Sequence, residues 1–234
     1  MPSEREVLVK ILELSADKIF VPEEIVKNTG VSKATLHRML SSCFEGDALF
    51  FIDERSSLTS EERIKIAIKA IQLRADIERV CRYLTWEEFE DISIVAFEKN
   101  DFRVFKHFRF KHHNKRWEID LLGQCGSMVA VVDCKHWKKN WSRSSITRIV
   151  KSHISRTEAL SMELSSSPKK TGFILNRRLV AFPIILSLLP ASFKFCRGVP
   201  IVPILQIQDF LCNMSLYSSS LLCFPVKPII SGLS

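Results

Sequence analysis

An apolar run, Met128-Val129-Ala130-Val131-Val132, leads directly into Asp133-Cys134-Lys135. Such a run suits a strand buried on both faces, where an unpaired charge is costly. The preceding stretch, Arg116-Trp117-Glu118-Ile119-Asp120-Leu121-Leu122, reads as a second strand. Between them, Gly126-Ser127 has the composition of a two-residue hairpin turn with glycine first, and Gly123-Gln124 is the alternative turn. With the turn at Gly126-Ser127, paired residues have numbers adding to 253, so Asp120 faces Asp133 and Glu118 faces Lys135. Side chains alternate with period two, which puts Val129, Val131, Asp133 and Lys135 on one face and groups Glu118, Asp120 and Leu122 likewise. Directly opposed residues hold their Cβ atoms about 5 Å apart, and like charges so placed destabilise a sheet unless a cation lies between them. A hard divalent ion such as Mg²⁺, which takes oxygen ligands and commonly one or two carboxylates, meets that need. The alternative is a surface hairpin whose charges are simply solvated.

The surroundings favour an acidic site in a basic setting. From Lys99 to Arg156 there are 14 Lys/Arg but only four acids, and three of these, Glu118, Asp120 and Asp133, lie in the hairpin. The whole chain carries a formal charge of +8 over 234 residues, a balance suited to a polyanion such as nucleic acid. Seven cysteines show no CxxC spacing and follow no secretory signal, so they read as reduced thiols in a cytoplasmic protein, and zinc is not expected. The most apolar segment, Leu179 to Pro190, is too short and too interrupted by proline to span a bilayer. Nothing points to a small-molecule cofactor.

Along the chain, residues 1–83 read as helices around one short hairpin. Val7, Leu8, Ile11 and Leu12 recur at helical spacing, Pro22 opens a second helix and Gly30 closes it. Ser32 caps a third helix whose buried face is Leu36, Met39, Leu40 and Phe44. Helix, Thr29-Gly30-Val31 turn and helix resemble a helix-turn-helix, with Ala48 to Asp53 as its β wing. If the third helix enters a major groove, it offers Lys33, Thr35, His37, Arg38 and Ser41. Thr59 and Glu62 form a capping-box pair ahead of a long helix over 60–82. From 84 the pattern becomes helix Thr85–Lys99, strand Phe102–Phe110, the hairpin 116–135, helix Ser144–Leu164 and strand Gly172–Asn176. A helix near 178–188, a strand near Val199–Ile204 and a helix near Ile207–Cys212 complete an α/β domain over 84–214, leaving an apolar tail at 215–234.

The helix beginning at Thr85 supplies further acids. Glu87, Asp91 and Glu98 fall on one wet stripe, whereas Glu90 lies toward the apolar side, with Glu88 as its rival on the other flank. Glu90, then Asp120 in a strand, then Asp133-Cys134-Lys135 after an apolar strand resembles the PD-(D/E)xK, or restriction-endonuclease-like, nucleases. The order helix, three strands, helix, strand matches that core over about residues 85–205. WEEFEDISIVAFEKNDFRV resembles the opening of the branch holding archaeal Holliday junction resolvases and Mrr-type restriction enzymes. Ile119 stands where the family name has proline. In the helix after the lysine, where the family often turns a Gln or Lys toward the site, the nearest candidates are Lys151 and His153. His153 also lies on the apolar stripe Ile146, Ile149, Val150, Thr157 and Leu160.

The resemblance implies a central mixed sheet flanked by helices, preceded by a mostly α winged-helix domain. It implies a Mg²⁺- or Mn²⁺-dependent DNA endonuclease of repair, recombination or restriction. Asp120 and Asp133 would hold the ion, with Glu90 and the Cys134 backbone carbonyl completing the shell and Lys135 acting on the attacking water. Arg109, Lys111, Lys115, Arg116, Lys138, Lys139, Arg143, Arg148 and Lys151 would carry the DNA backbone, with Lys33, His37 and Arg38 contributing from the N-terminal domain. Trp137 and Trp141 could stack on unpaired bases or simply pack a loop. Cutting both strands would use two copies of the site, hence a homodimer. The rival reading is a non-catalytic winged-helix DNA-binding protein that keeps the nuclease scaffold.

Overall fold

The computed structural model describes residues 2–44, 56–137, 142–166, 178–217 and 220–226. It divides into two compact units, Met1–Ile92 and Ser93–Ser234, with the division falling inside one helix.

In the first unit, α1 (Glu4–Leu14) buries Val7, Leu8, Val9, Ile11 and Leu12. The two-residue β1 (Ile19–Phe20) follows. Pro22 opens α2 (Pro22–Thr29), and Gly30 ends it at φ 71°, a left-handed conformation that glycine adopts without a Cβ penalty. The Ser32 hydroxyl accepts the Thr35 N–H at the start of α3 (Lys33–Phe44), which buries Leu36, Met39, Leu40 and Phe44 as the periodicity predicts. The expected wing at Ala48–Asp53 lies outside the described residues. Beyond it, β2 (Ser56–Ser57) pairs antiparallel with β1. Thr59 and Glu62 close a reciprocal capping box on α4 (Ser60–Gln72). The single helix expected over 60–82 is in fact two. Arg74 takes φ 64°, which breaks the α-helical path, and the Asp76 carboxylate accepts the N–H groups of Glu78 and Arg79 to start α5 (Ile77–Arg82). Helix α6 (Trp86–Glu98) then crosses the division.

The second unit is mixed α/β, a seven-stranded sheet flanked by helices. Its order is β3 (Arg103–His112), β4 (Lys115–Cys125), β5 (Met128–Lys135), β6 (Leu179–Ser187), β8 (Val199–Pro203), β7 (Phe195–Cys196). The β3-β4-β5 part is antiparallel and the β5-β6-β8 part parallel. Helix α7 (Arg143–Ser166) makes the crossover from β5 to β6. Its Leu160 and Leu164 join Ile119, Leu122, Val129, Val131 and Leu179 in one core cluster. After β8 come α8 (Ile207–Cys212), α9 (Met214–Tyr217) and β9 (Phe224–Val226). The tail thus contributes a strand, since β9 pairs antiparallel with Leu179–Ala181 of β6.

One element differs from expectation in kind. The segment 178–188, expected to be a helix, holds strand β6 over Leu179–Ser187. The strand is buried almost throughout, and a continuous apolar run carries no period that separates strand from helix. Pro183 was the available signal, because it would break a helix interior. The strand tolerates it for a reason visible in the pairing. Strand β9 covers β6 at Leu179–Ala181 and β8 covers it at Ile185–Ser187, so Pro183 falls in the gap between those two ladders. The strand expected at Gly172–Asn176 lies outside the described residues.

The tail is fastened at Gly198, which has φ 75° and whose carbonyl accepts the Leu222 N–H at 2.8 Å. A Cβ there would meet the Leu222 nitrogen at 2.9 Å. Gly198→Ala is expected to cost at least about 2 kcal/mol, combining left-handed strain of about 1–2 kcal/mol with the backbone clash. Urea titration of the intact chain measures this, and an unchanged midpoint would contradict it.

Candidate active site

The hairpin turns at Gly126-Ser127. Gly126 takes φ 57°, and Cys125 pairs with Met128. The pairs Leu121–Val132, Leu122–Val131, Gly123–Ala130 and Gln124–Val129 all keep the sum 253. The ladder stops at Leu121–Val132, and the same sum carried one step further would set Asp120 across from Asp133. It stops because the Cys134 N–H donates to the Asp120 carboxylate (Oδ2, 2.8 Å), which takes the place of a main-chain partner.

A second irregularity lies on the other side of Asp120. Strands β3 and β4 pair continuously from Arg103–Gln124 to His112–Lys115, except at His107 and Asp120. His107 takes φ 52° there. The alternation of faces slips at this step, so Phe105, Phe108, Phe110, Ile119 and Leu122 all pack on the same cluster under α7. The expectation that Glu118, Asp120 and Leu122 share a face is therefore corrected. Glu118 does not meet Lys135 either: it accepts from Arg109 Nε (2.9 Å) and pairs with His107 (3.0 Å) across the β3–β4 ladder. Local breaks of this type re-aim a side chain, and here the residue released from the ladder is Asp120.

Asp133 is 3% exposed and bound by two cations. Lys135 Nζ donates to Oδ2 at 2.8 Å, and Arg156 Nη1, from α7, donates to Oδ1 at 3.1 Å. Burial pushes the Asp133 carboxyl up, but the positive field of His153 when protonated, with that of Lys135 and Arg156, outweighs it and holds the group below its usual value. Burial also drives the His153 imidazole down to about 4, so the ring is neutral at pH 7 and the two long cations do the work there. Asp120 behaves oppositely. Its burial and the neighbouring Asp133 charge raise it, against the pull of the Cys134 N–H, Lys135 and Arg156. The two acids thus sit in one field with opposite tendencies, as expected of carboxylates close enough to feel each other.

The other expected residues divide clearly. His153 is a core histidine that bonds the Val131 carbonyl through Nε2 (2.9 Å), and Lys151 is exposed. The side chain that α7 actually turns onto the acids is Arg156, which the sequence presents only as one more basic residue of that helix. Its signal was its place three residues after His153, on a helix whose apolar stripe fixes which side faces the sheet. Arg109, Lys111, Lys115 and Arg116 are exposed on the β3–β4 arm, with Lys115 Nζ 3.6 Å from the Trp117 ring centroid. A cavity of about 680 Å³ opens beside them, lined by Phe108, Phe110, Trp117, Leu160 and Leu164 among others. Arg143 lies over the Phe193 ring and Arg148 is exposed on α7, while Lys138, Lys139 and Trp141 lie outside the described residues. Trp137 is exposed.

On α3, Lys33 pairs with Glu23, His37 lies 3.5 Å from the Ser41 hydroxyl and Arg38 is exposed. Glu88 and Glu90 are both fully buried. Glu88 is committed to Arg63 Nε (3.0 Å) and to the Thr85 N–H (2.9 Å), which caps α6. Among the described residues, no three His, Cys, Asp or Glu side chains are gathered as a metal site. Asp120 and Asp133, close enough that the charge of one raises the other, offer hard carboxylate oxygens. Their number fits Mg²⁺, which commonly binds through one or two carboxylates and keeps several waters.

Residues 78–183 match the family described as NERD, nuclease-related domain. An uncharacterized protein of Archaeoglobus fulgidus is 29% identical over 135 residues, covering 57% of this chain and 95% of that protein. Two crystal structures are similar at low level. One is a protein of unknown function, AF1548, at 12% identity, TM-score 0.32 and 44% of this chain. The other is protein VC1899 from Vibrio cholerae, at 11% identity, TM-score 0.37 and 94% of this chain. The chain spans 47% and 57% of the lengths of those two structures, about half in each case. No helix among the described residues is long and apolar enough to cross a membrane. The match over 78–183 supports a nuclease superfamily and a nuclease-like function.

Proposed function

We propose that this chain is a metal-dependent DNA endonuclease of the PD-(D/E)xK type, in the branch with Holliday junction resolvases and Mrr-type enzymes. The observation that supports the reading is the 253 register, which runs to Leu121–Val132 and so brings Asp120 near Asp133, with Lys135 bound to the latter. Asp120, Asp133 and the Cys134 carbonyl are the proposed holders of Mg²⁺ or Mn²⁺, and Glu90 is assigned as the third carboxylate from the order of the motif. Such an ion, when bound, would acidify an attacking water and neutralise charge on the phosphoryl oxygens. Lys135 would orient the attacking water or help its deprotonation, and would offset charge on the phosphate. Arg109, Lys111, Lys115, Arg116, Arg143, Arg148 and Lys151 neutralise phosphates, so binding weakens steeply with salt. Residues 1–83 serve as a winged helix that presents Lys33, His37 and Arg38 to DNA. The nuclease domain covers 84–214, and a homodimer supplies two sites for two strands. The setting is cytoplasmic, in repair, recombination or restriction.

The test is a cleavage panel of plasmid, linear duplex, single-stranded and four-way-junction DNA with Mg²⁺ or Mn²⁺. Wild type is compared with Asp133→Ala and Lys135→Ala. Cleavage of at least one substrate by wild type alone is expected. Equal DNA binding by all three proteins with cleavage by none would favour the scaffold reading instead.

A further inference from the structure

We propose that Arg156 is a built-in competitor for the metal position, released onto the scissile phosphate when an ion takes Asp133. The inference rests on the nuclease reading and adds to it an order of events that the motif does not contain.

The geometry is specific. Each oxygen of Asp133 has a cation, Lys135 Nζ at 2.8 Å on Oδ2 and Arg156 Nη1 at 3.1 Å on Oδ1. Both oxygens of Asp133 already have a cation, so a divalent ion on either oxygen meets a position that a side chain holds. One of the two side chains must yield. Lys135 stands two residues from Asp133 on the same strand, and its Nζ also reaches the Cys134 carbonyl (3.4 Å). Arg156 comes from a separate element, α7, so it can withdraw without moving the strand that carries Asp133. Once displaced, a guanidinium beside a metal-bound phosphodiester has an evident partner, because its planar fork matches two non-bridging oxygens.

Two consequences follow from linkage. Arg156 lowers metal affinity in the free protein, and DNA restores it by giving the arginine another anion. By the same coupling, metal raises DNA affinity by an equal factor. Arg156 is thus a positioning residue in the free state and a phosphate ligand in the complex.

The experiment measures Mn²⁺ binding by the electron paramagnetic resonance of free Mn²⁺, without DNA, for the full chain and its Arg156→Gln, Arg156→Lys and Asp133→Asn variants. Duplex affinity is then measured for each with and without Ca²⁺. Arg156→Gln is expected to bind Mn²⁺ about fivefold to tenfold tighter than wild type, at the lower end of the range typical of coupled sites. It is also expected to lose most of the Ca²⁺-dependent gain in duplex affinity. Arg156→Lys, which keeps the charge, is expected to bind Mn²⁺ nearly as wild type does while losing part of that gain. Unchanged Mn²⁺ affinity in Arg156→Gln, with binding abolished in Asp133→Asn, would overturn the competition and leave the nuclease reading intact. Wild-type Mn²⁺ binding in Asp133→Asn would remove the metal from this carboxylate and overturn both.

Discussion

Asp133→Asn is expected to bind duplex DNA at least as tightly as wild type and to cut it at least about 10²–10³-fold more slowly, the loss typical of removing one preorganised electrostatic group. The two halves of that expectation come from the same contacts. Asp133 is the shared anion of Lys135 and Arg156. Making it neutral frees two cations inside an already basic surface, which strengthens attraction to phosphate. The same change removes one of two facing carboxylates and with it the charge that would hold an ion. Both cationic side chains are about one-fifth exposed, so each can turn toward water and the fold is retained. The measurement pairs a gel or fluorescence binding assay with single-turnover cleavage in Mg²⁺, with melting temperature as control. A variant that loses binding and cleavage together would mean that Asp133 supports the architecture rather than the chemistry.

The part of this site that is legible in the sequence is the part governed by local rules. A glycine-first two-residue turn fixes register, so the pairing from Cys125–Met128 to Leu121–Val132 follows from residue numbers alone. Helix ends in the first unit are equally plain, because Pro22, Gly30, Ser32 and the Thr59–Glu62 box act over three or four residues. The break at His107 and Asp120 was not legible, since no glycine or proline marks it and both flanking ladders keep the same pairing sum. Arg156 was hidden for a different reason. It meets Asp133 from 23 residues away in sequence, and its place beside the apolar stripe of α7 separates it from Lys151 and Arg148 only once that stripe is known to face the sheet. Strand β6 was missed because burial on both faces erases periodicity, leaving Pro183 as the sole local clue and one that points against helix without naming strand.

The two buried glutamates of α6 separate by what each is expected to do when neutralised. Glu88 belongs to a closed polar network: Arg63 is fully buried and donates to Glu88 Oε1 (3.0 Å), to the Leu12 and Ser15 carbonyls, to the Ser15 hydroxyl and to the Tyr83 carbonyl. Such a pair is weak evidence of net stabilisation, because both charges were desolvated to form it, yet breaking one side strands the other. Arg63→Ala is therefore expected to cost about 3–5 kcal/mol, the range for uncompensated buried charge, and Glu88→Gln a comparable amount. Against a total stability of about 5–15 kcal/mol, either loss is large. The double change Arg63→Met with Glu88→Leu should cost well under the sum of the two single losses, because it removes both charges at once. Glu90→Gln, in contrast, is expected to leave the urea midpoint near wild type and to suppress cleavage, as the third-carboxylate assignment requires. The opposite pattern, a stable but inactive Glu88→Gln beside an unfolded but otherwise competent Glu90→Gln, would transfer that assignment to Glu88.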